Sequence, residues 1–381
     1  MSDLITRVRH RLATHSGPGA IDEAVHTEAD GISDDVVIAR LRRDVQAELV
    51  GAGPLEPLLG VPGVTDVLVN APDQVWVDRG LGLERVPISF RDDAEVRALA
   101  QRLATAAGRR LDDALPFVDA ALPDGTRLHA VLPPITETAV LSLRVLARRR
   151  YDLADLVARG GMTAPVADLL RAVVAARLAV VVTGGTGTGK TTVLGAMLGT
   201  MDPADRLVVI EDAAELVVTH AHVVRLVTRV ANIEGAGGVG LRDLVRQALR
   251  MRPDRLVVGE FRGAEMIELL VAMNTGHEGA AATLHANSAG DVPSRFVALG
   301  ALAGLDAAAV ASIAGSAVDV VVALRRCREA RHVDEIAVLA RRGTDLAVDT
   351  AWSRRGGPGP AARRLADLLA DRGAVVPSVL R

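Results

Sequence analysis

The stretch Gly184-Gly185-Thr186-Gly187-Thr188-Gly189-Lys190-Thr191 has the residue types and the spacing of a loop that holds phosphate. Its glycines let backbone N–H groups come close to an anion, and Lys190 can reach between the β- and γ-phosphates of a nucleotide. The chain holds 44 lysines and arginines together, and Lys190 is its sole lysine. Arginine is the cation everywhere else, but a planar guanidinium fork does not fit the cradle that a compact ammonium enters. Thr191 would put its hydroxyl on Mg²⁺, and Thr192 continues into a helix. A guanine-reading Asn-Lys-x-Asp motif would need a second lysine, so the nucleotide expected is ATP with Mg²⁺.

Elements on both sides of the loop fit that chemistry. Leu178-Ala179-Val180-Val181-Val182 is a short run rich in β-branched residues, as a buried parallel strand requires. Thr191 to Leu198 reads as a helix whose positive end would face the phosphates.

Phosphoryl transfer to water also needs carboxylates, for the metal's shell and for the attacking water. Leu207-Val208-Val209-Ile210 runs into Glu211-Asp212-Ala213-Ala214-Glu215, and Leu256-Val257-Val258-Gly259 runs into Glu260. Acids at the carboxyl ends of parallel strands lie where such sheets bind ligands. Gly259 occupies the place where a Walker B strand usually carries Asp. Glu260 is therefore expected to hold Mg²⁺ through water, and Glu211 to polarise the nucleophile. His277 and His285 are not spaced as H-E-x-x-H and have no thiolate nearby, so they predict a γ-phosphate sensor or a domain contact rather than a zinc site.

The rest of the chain must position these groups. At 381 residues and 49% hydrophobic content, two cores are expected. Residues 1–54 read as a helical segment, with an N-cap at Ser33-Asp34-Asp35 and a stop at Gly51-Ala52-Gly53-Pro54. Residues 55–147 read as a small α+β domain: a hairpin at 66–70 and 74–78, a helix over 94–107, and strands over 126–132 and 139–145. Residues 148–161 read as a linker around three arginines, a solvated turn or a phosphate contact. Residues 162–350 alternate strand and helix, as in an α/β parallel sheet covered on both faces. The tail, 351–381, reads as flexible and basic, with contact to acidic lipid as a second reading.

Composition narrows the function further. A net charge of −3 and 2% aromatic residues give no basic stacking groove for nucleic acid. A single cysteine, Cys327, excludes an internal disulfide and fits a reducing, cytoplasmic location. The amino terminus lacks the apolar core of a signal peptide, and Ala307 to Leu324 reads as a buried helix followed by a strand rather than a membrane span.

The run Asp243 to Gly263, the stretch Ile210-Glu211-Asp212-x-x-Glu215-Leu216 and the stretch Asn274-Thr275-Gly276-His277…Leu284-His285-Ala286-Asn287 closely resemble the traffic ATPases of secretion. These are the hexameric motors of type II and type IV secretion, type IV pili and conjugation. Within that superfamily the chain looks most like the CpaF-type ATPases of tight-adherence pili, over roughly residues 35 to 345. The resemblance implies a RecA-like P-loop domain preceded by a PAS-like α+β domain, with Walker A at 184–191, an Asp box at 211–215, Walker B ending at Glu260 and a His box at 277–285. It also implies that Arg127 and Arg144 of the amino-terminal domain reach over the nucleotide. The paired-cysteine zinc module of the type II branch cannot form here, and Phe261 stands where a smaller aliphatic residue is usual.

Those features together lead to one expectation, an ATP-hydrolysing homo-oligomer, a hexamer, that acts through inner-membrane platform proteins, peripheral at the inner face of the cell membrane. A nucleic-acid translocase and a nucleotide-gated scaffold without turnover are the rival readings. The paired acids and histidines argue against the scaffold.

Overall fold

The structure, a computed structural model, describes residues 51–80, 82–145, 150–231, 236–274, 278–327 and 330–381, with Arg7, Arg11, Glu23, Ala24, Thr27 and 45–47 upstream. The helix expected from Ser33 lies outside the described residues except at 45–47, which are helical. Two compact units follow one another, Met1–Ala147 and Arg148–Arg381.

The first unit is built on six strands: β1 (Asp66–Ala71), β2 (Gln74–Asp78), β3 (Leu83–Arg85), β4 (Phe117–Ala121), β5 (Arg127–Val131) and β6 (Val140–Arg144). They form one antiparallel sheet in the order β3-β2-β1-β6-β5-β4. Side chains alternate across a strand, so Val67, Val69, Val75, Val77, Leu128, Leu141 and Leu143 share one buried face. Helix α1 (Asp93–Ala106) covers it with Val96, Leu99 and Leu103. The Asp92 carboxylate caps α1 by accepting the Glu95 N–H at 2.9 Å.

The second unit is a nine-stranded sheet. Its strands are β7 (Val180–Thr183), β8 (Leu207–Glu211), β9 (Val223–Val227), β10 (Arg255–Phe261), β11 (Ala281–Leu284), β12 (Val320–Cys327), β13 (Ala330–Arg342), β14 (Asp345–Ser353) and β15 (Gly357–Pro358). The order is β15-β14-β13-β12-β7-β11-β10-β8-β9; β12 through β9 in that order run parallel, and β13 to β15 are antiparallel additions. Helices α2 (Leu153–Ala158), α3 (Ala164–Ala175) and α4 (Lys190–Leu198) share one core with Val180, Val182, Leu207 and Val209. Helices α5 (Leu241–Ala248), α6 (Glu265–Met273), α7 (Val292–Leu302) and α8 (Ala307–Ala317) share the other with Val181, Val208 and Ile210. Both faces are covered, which explains why the central strands are apolar without alternation.

Two segments differ from their reading in the sequence. Within 148–161, the expected linker, Asp152 and Asp155 form a capping box that starts α2, and Leu153 is buried. The tail is folded. Trp352 and Ala351 end β14 in the core, and helix α9 (Ala362–Asp371) buries Leu365 and Leu369, with Leu380 beyond it. Its arginines misled the reading because Arg363 and Arg364 lie on the exposed face of an amphipathic helix whose leucines, four apart, face inward.

Among the described residues no single helix is long and apolar enough to cross a membrane. The apolar stretch from Ala307 is α8 followed by β12, as read from the sequence. It packs Val310 and Ala314 into the core beside Phe296 and Leu299 of α7.

Candidate active site

Strand β7 ends at Thr183, and the chain turns directly into the glycine loop and then α4. Gly184 has φ of +152°, and a Cβ there would stand 2.7 Å from Thr188 Oγ1 and 2.8 Å from the Leu324 carbonyl oxygen. Only glycine lets the loop pass so close to β12. Thr188 Oγ1 donates to the Gly185 carbonyl at 2.9 Å and closes the turn from inside.

Lys190 is buried, and its amine turns back onto its own loop, donating to the Gly184 carbonyl at 3.0 Å and the Gly185 carbonyl at 3.2 Å. Burial pushes its pKa below the usual lysine value, while the negative charges of Glu260 and Glu215 oppose that shift. A buried ammonium turned onto its own loop carbonyls, with the His285 ring nearby, is a cation placed for a stronger anionic partner. Thr191, half-buried, follows it on α4 beside exposed Thr192. Gly185, Thr186, Gly187 and Gly189 complete the loop.

Neighbouring strands bring the acids to the same edge. Thr183 Oγ1 donates to the Leu284 carbonyl at 3.0 Å and Thr283 Oγ1 to the Gly259 carbonyl at 2.6 Å, which locks the ends of β7, β11 and β10 side by side. Just beyond β11, His285 Nε2 lies 2.8 Å from Glu260 Oε1 and 3.4 Å from Lys190 Nζ. Burial and then the Lys190 charge hold His285 below the usual histidine pKa, with Glu260 pulling the other way. The neutral ring donates from Nε2 to Glu260. Arg262 Nε donates to the other Glu260 oxygen at 2.5 Å.

The two Asp-box acids are placed differently. Glu211 is buried, and its Oε1 accepts the N–H groups of Glu215 (3.0 Å) and Leu216 (2.7 Å), while Arg225 reaches its Oε2 at 3.3 Å. Burial raises its pKa, against those hydrogen bonds. A Cβ at position 259 would stand 2.9 Å from Glu211 Cγ, so the glycine in the usual aspartate place makes room for this side chain. Glu211 is thus tied to its own loop. Half-buried Glu215 is the acid of the pair whose charge acts on both Lys190 and Arg262.

His277 lies outside the described residues. Its described neighbour Glu278 precedes β11 and pairs with Arg372 at 2.9 Å, whereas His285 follows β11, so the two flanks meet opposite edges of the sheet. Arg127 and Arg144 belong to the first unit, where they are direct cross-strand partners on β5 and β6. Arg127 pairs with Asp119 at 3.7 Å and Arg144 with Asp66 at 3.1 Å. The sequence reading missed Arg225 and Arg262 as partners of the acids. Arg262 had a signal, since residues two apart at a strand end share a side; Arg225 had none, since only the β8–β9 register brings it to Glu211.

The donor set suits a nucleotide with Mg²⁺. Thr191 would offer a hydroxyl, and both Glu260 oxygens keep lone pairs for the metal's water after accepting from His285 and Arg262. Phe261, buried where a smaller residue was expected to be usual, packs edge-to-face on Phe296 at 6.3 Å.

The chain is similar to several known proteins. The profile of the "Type II/IV secretion system protein" family matches residues 48–357. A Mycobacterium tuberculosis protein, provisionally assigned by its name to conjugal transfer, is 54% identical over 349 residues, 90% of this chain and 99% of its own length. The conjugal transfer protein TrbB of Rhizobium radiobacter is 32% identical, covering 72% of this chain and 83% of its own. Among solved structures, the ATPase DotB of Legionella pneumophila superposes with a TM-score of 0.53 at 20% identity, covering 78% of this chain and 80% of its own, a likeness of fold. The chain belongs to the type II/IV secretion system protein family.

Proposed function

We propose that this chain is the subunit of a homo-hexameric ring that hydrolyses ATP to drive assembly of a tight-adherence or type IV-like pilus, or type II/IV secretion, through inner-membrane platform proteins at the cytoplasmic face. The observation that carries the reading is the triangle of Lys190, His285 and Glu260, in which a phosphate-loop cation, a neutral imidazole and a carboxylate converge at one sheet edge. Bound Mg²⁺ would neutralise charge developing on the phosphates, held by Thr191 and, through water, Glu260. The loop amides and Lys190 hold the phosphate chain. His285, neutral and fixed by Glu260, can report whether the γ-phosphate is present. Glu215 polarises the attacking water, the role the sequence suggested for Glu211. The family resemblance assigns Arg127 and Arg144 the part of further positive charge for the γ-phosphate.

The relatives named for conjugal transfer favour a second destination for the same motor, a conjugation or type IV secretion apparatus. ATPase assays on the purified protein, with and without DNA and with its mass measured in solution, test the reading. Turnover in a six-subunit particle, unchanged by DNA and abolished in Lys190→Ala and Lys190→Arg, is expected. Turnover that requires DNA, or that survives in Lys190→Arg, overturns it.

A further inference from the structure

Strand β12 runs parallel to β7 and continues four residues past Ala323, the last that pairs with β7, before β13 returns antiparallel beside it. The hairpin thus extends beside the phosphate loop. Leu324 touches Gly184 there, and side chains two apart on a strand share a face, so Arg326 follows Leu324 towards the loop. Arg326 Nη1 lies 3.3 Å from the point where a side chain on Gly187 would begin. Across the hairpin, Arg331 is the direct partner of Arg326, and its Cδ lies 3.9 Å from the same point on Gly189. Arg325 points the other way, to Asp334 at 3.2 Å.

Arg326 and Arg331 stand against Gly187 and Gly189, just before the buried Lys190, which brings three cations to one loop. Guanidinium groups suit the phosphate oxygens of a polyanion lodged there, through paired hydrogen bonds. We propose that Arg326 and Arg331 form a clamp, supplied by the same subunit as the loop, on the phosphate chain of the nucleotide. The clamp rests on the reading of the glycine loop as the ATP site. It would hold ADP as well as ATP, because it approaches the middle of the loop and not the Glu260 side.

Calorimetric titration of the full chain with ADP and with AMP tests the clamp, using Arg326→Ala, Arg331→Ala and Arg325→Ala, each checked by thermal melting. ADP affinity should fall about tenfold or more in Arg326→Ala and in Arg331→Ala, with KM for ATP rising in parallel and kcat changing far less. Arg325→Ala should bind as the unaltered protein does. Arg326→Lys should recover part of the loss, since it keeps the charge but not the fork. Unchanged ADP affinity in both alanine variants overturns the clamp, as does an equal loss in Arg325→Ala. An unaltered protein that binds no ADP would instead overturn the ATP-site reading itself.

Discussion

His285 Nε2 stands 2.8 Å from Glu260 Oε1, and this contact couples the ends of two adjacent parallel strands, β11 and β10, beside the amine of Lys190. With Nε2–H donated to Glu260, Nδ1 keeps its lone pair, 3.5 Å from Lys190 Nζ. The imidazole therefore stands between the lysine and the carboxylate. Glu260→Gln should preserve ATP affinity and lower kcat by about 10²-fold, because its charge counts most while the transition state forms. His285→Ala should lower kcat with a smaller change in KM. Steady-state kinetics with a parallel binding titration decide this; equal losses of binding and turnover would show that these groups merely hold the ground state.

Glu211 and Glu215 should separate cleanly. Glu215→Gln is expected to cut turnover by about 10²-fold, whereas Glu211→Gln, which still accepts the two loop N–H groups, should cost less than about tenfold. The reverse order would return the water-polarising role to Glu211.

A pH series on the same Glu211→Gln variant checks its burial. The folded-state pKa of Glu211 is raised above the reference value of 4.5, so the folded protein takes up this proton more readily than the unfolded chain. Its contribution is full below about pH 4.5 and is lost as pH rises through the folded pKa. Glutamine does not titrate. The melting temperature of the unaltered protein relative to the variant should thus fall from pH 4 upward, and a constant difference would contradict the assignment.

The carboxyl-terminal segment should be required for stability. Leu365, Leu369 and Leu380 sit in the same core as Val180 and Val182 of the loop's own strand. Leu369→Ala is expected to cost about 2–5 kcal/mol in a melting experiment. Deleting residues 353–381, or ending an ATPase fragment at 350, should give poorly folded protein. A truncated protein with unchanged melting and turnover would restore the reading of a dispensable tail.

Arg127 and Arg144 face each other across β5 and β6, each with a nearby aspartate. Each pair has one exposed and one half-buried partner, and surface ion pairs contribute about 1 kcal/mol or less, so alanine at either position should change melting little. If they act on the γ-phosphate, turnover should fall about 10³-fold in each. Normal turnover in either variant would remove that arginine from the mechanism.

The glycine loop, its lysine, the strand before it and the helix after it were legible in the sequence because all are local. Backbone conformation, spacing and apolar runs are written within a dozen residues of one another. The acids at the ends of β8 and β10 were legible for the same reason, as was the hairpin of β1 and β2. How each acid is held was not. Glu211 and Glu215 lie in one five-residue motif, and only the β8–β9 register, which delivers Arg225, and the turn that offers two N–H groups divide them. The packing of α9 depended on a core that gathers Val180 and Val182 with Val338 and Trp352, and its exposed arginines hid the leucines behind them. The approach of Arg326 and Arg331 to the loop rests on β12 pairing with β7, two strands separated by some 140 residues, and no local pattern can encode a contact made by a parallel crossover.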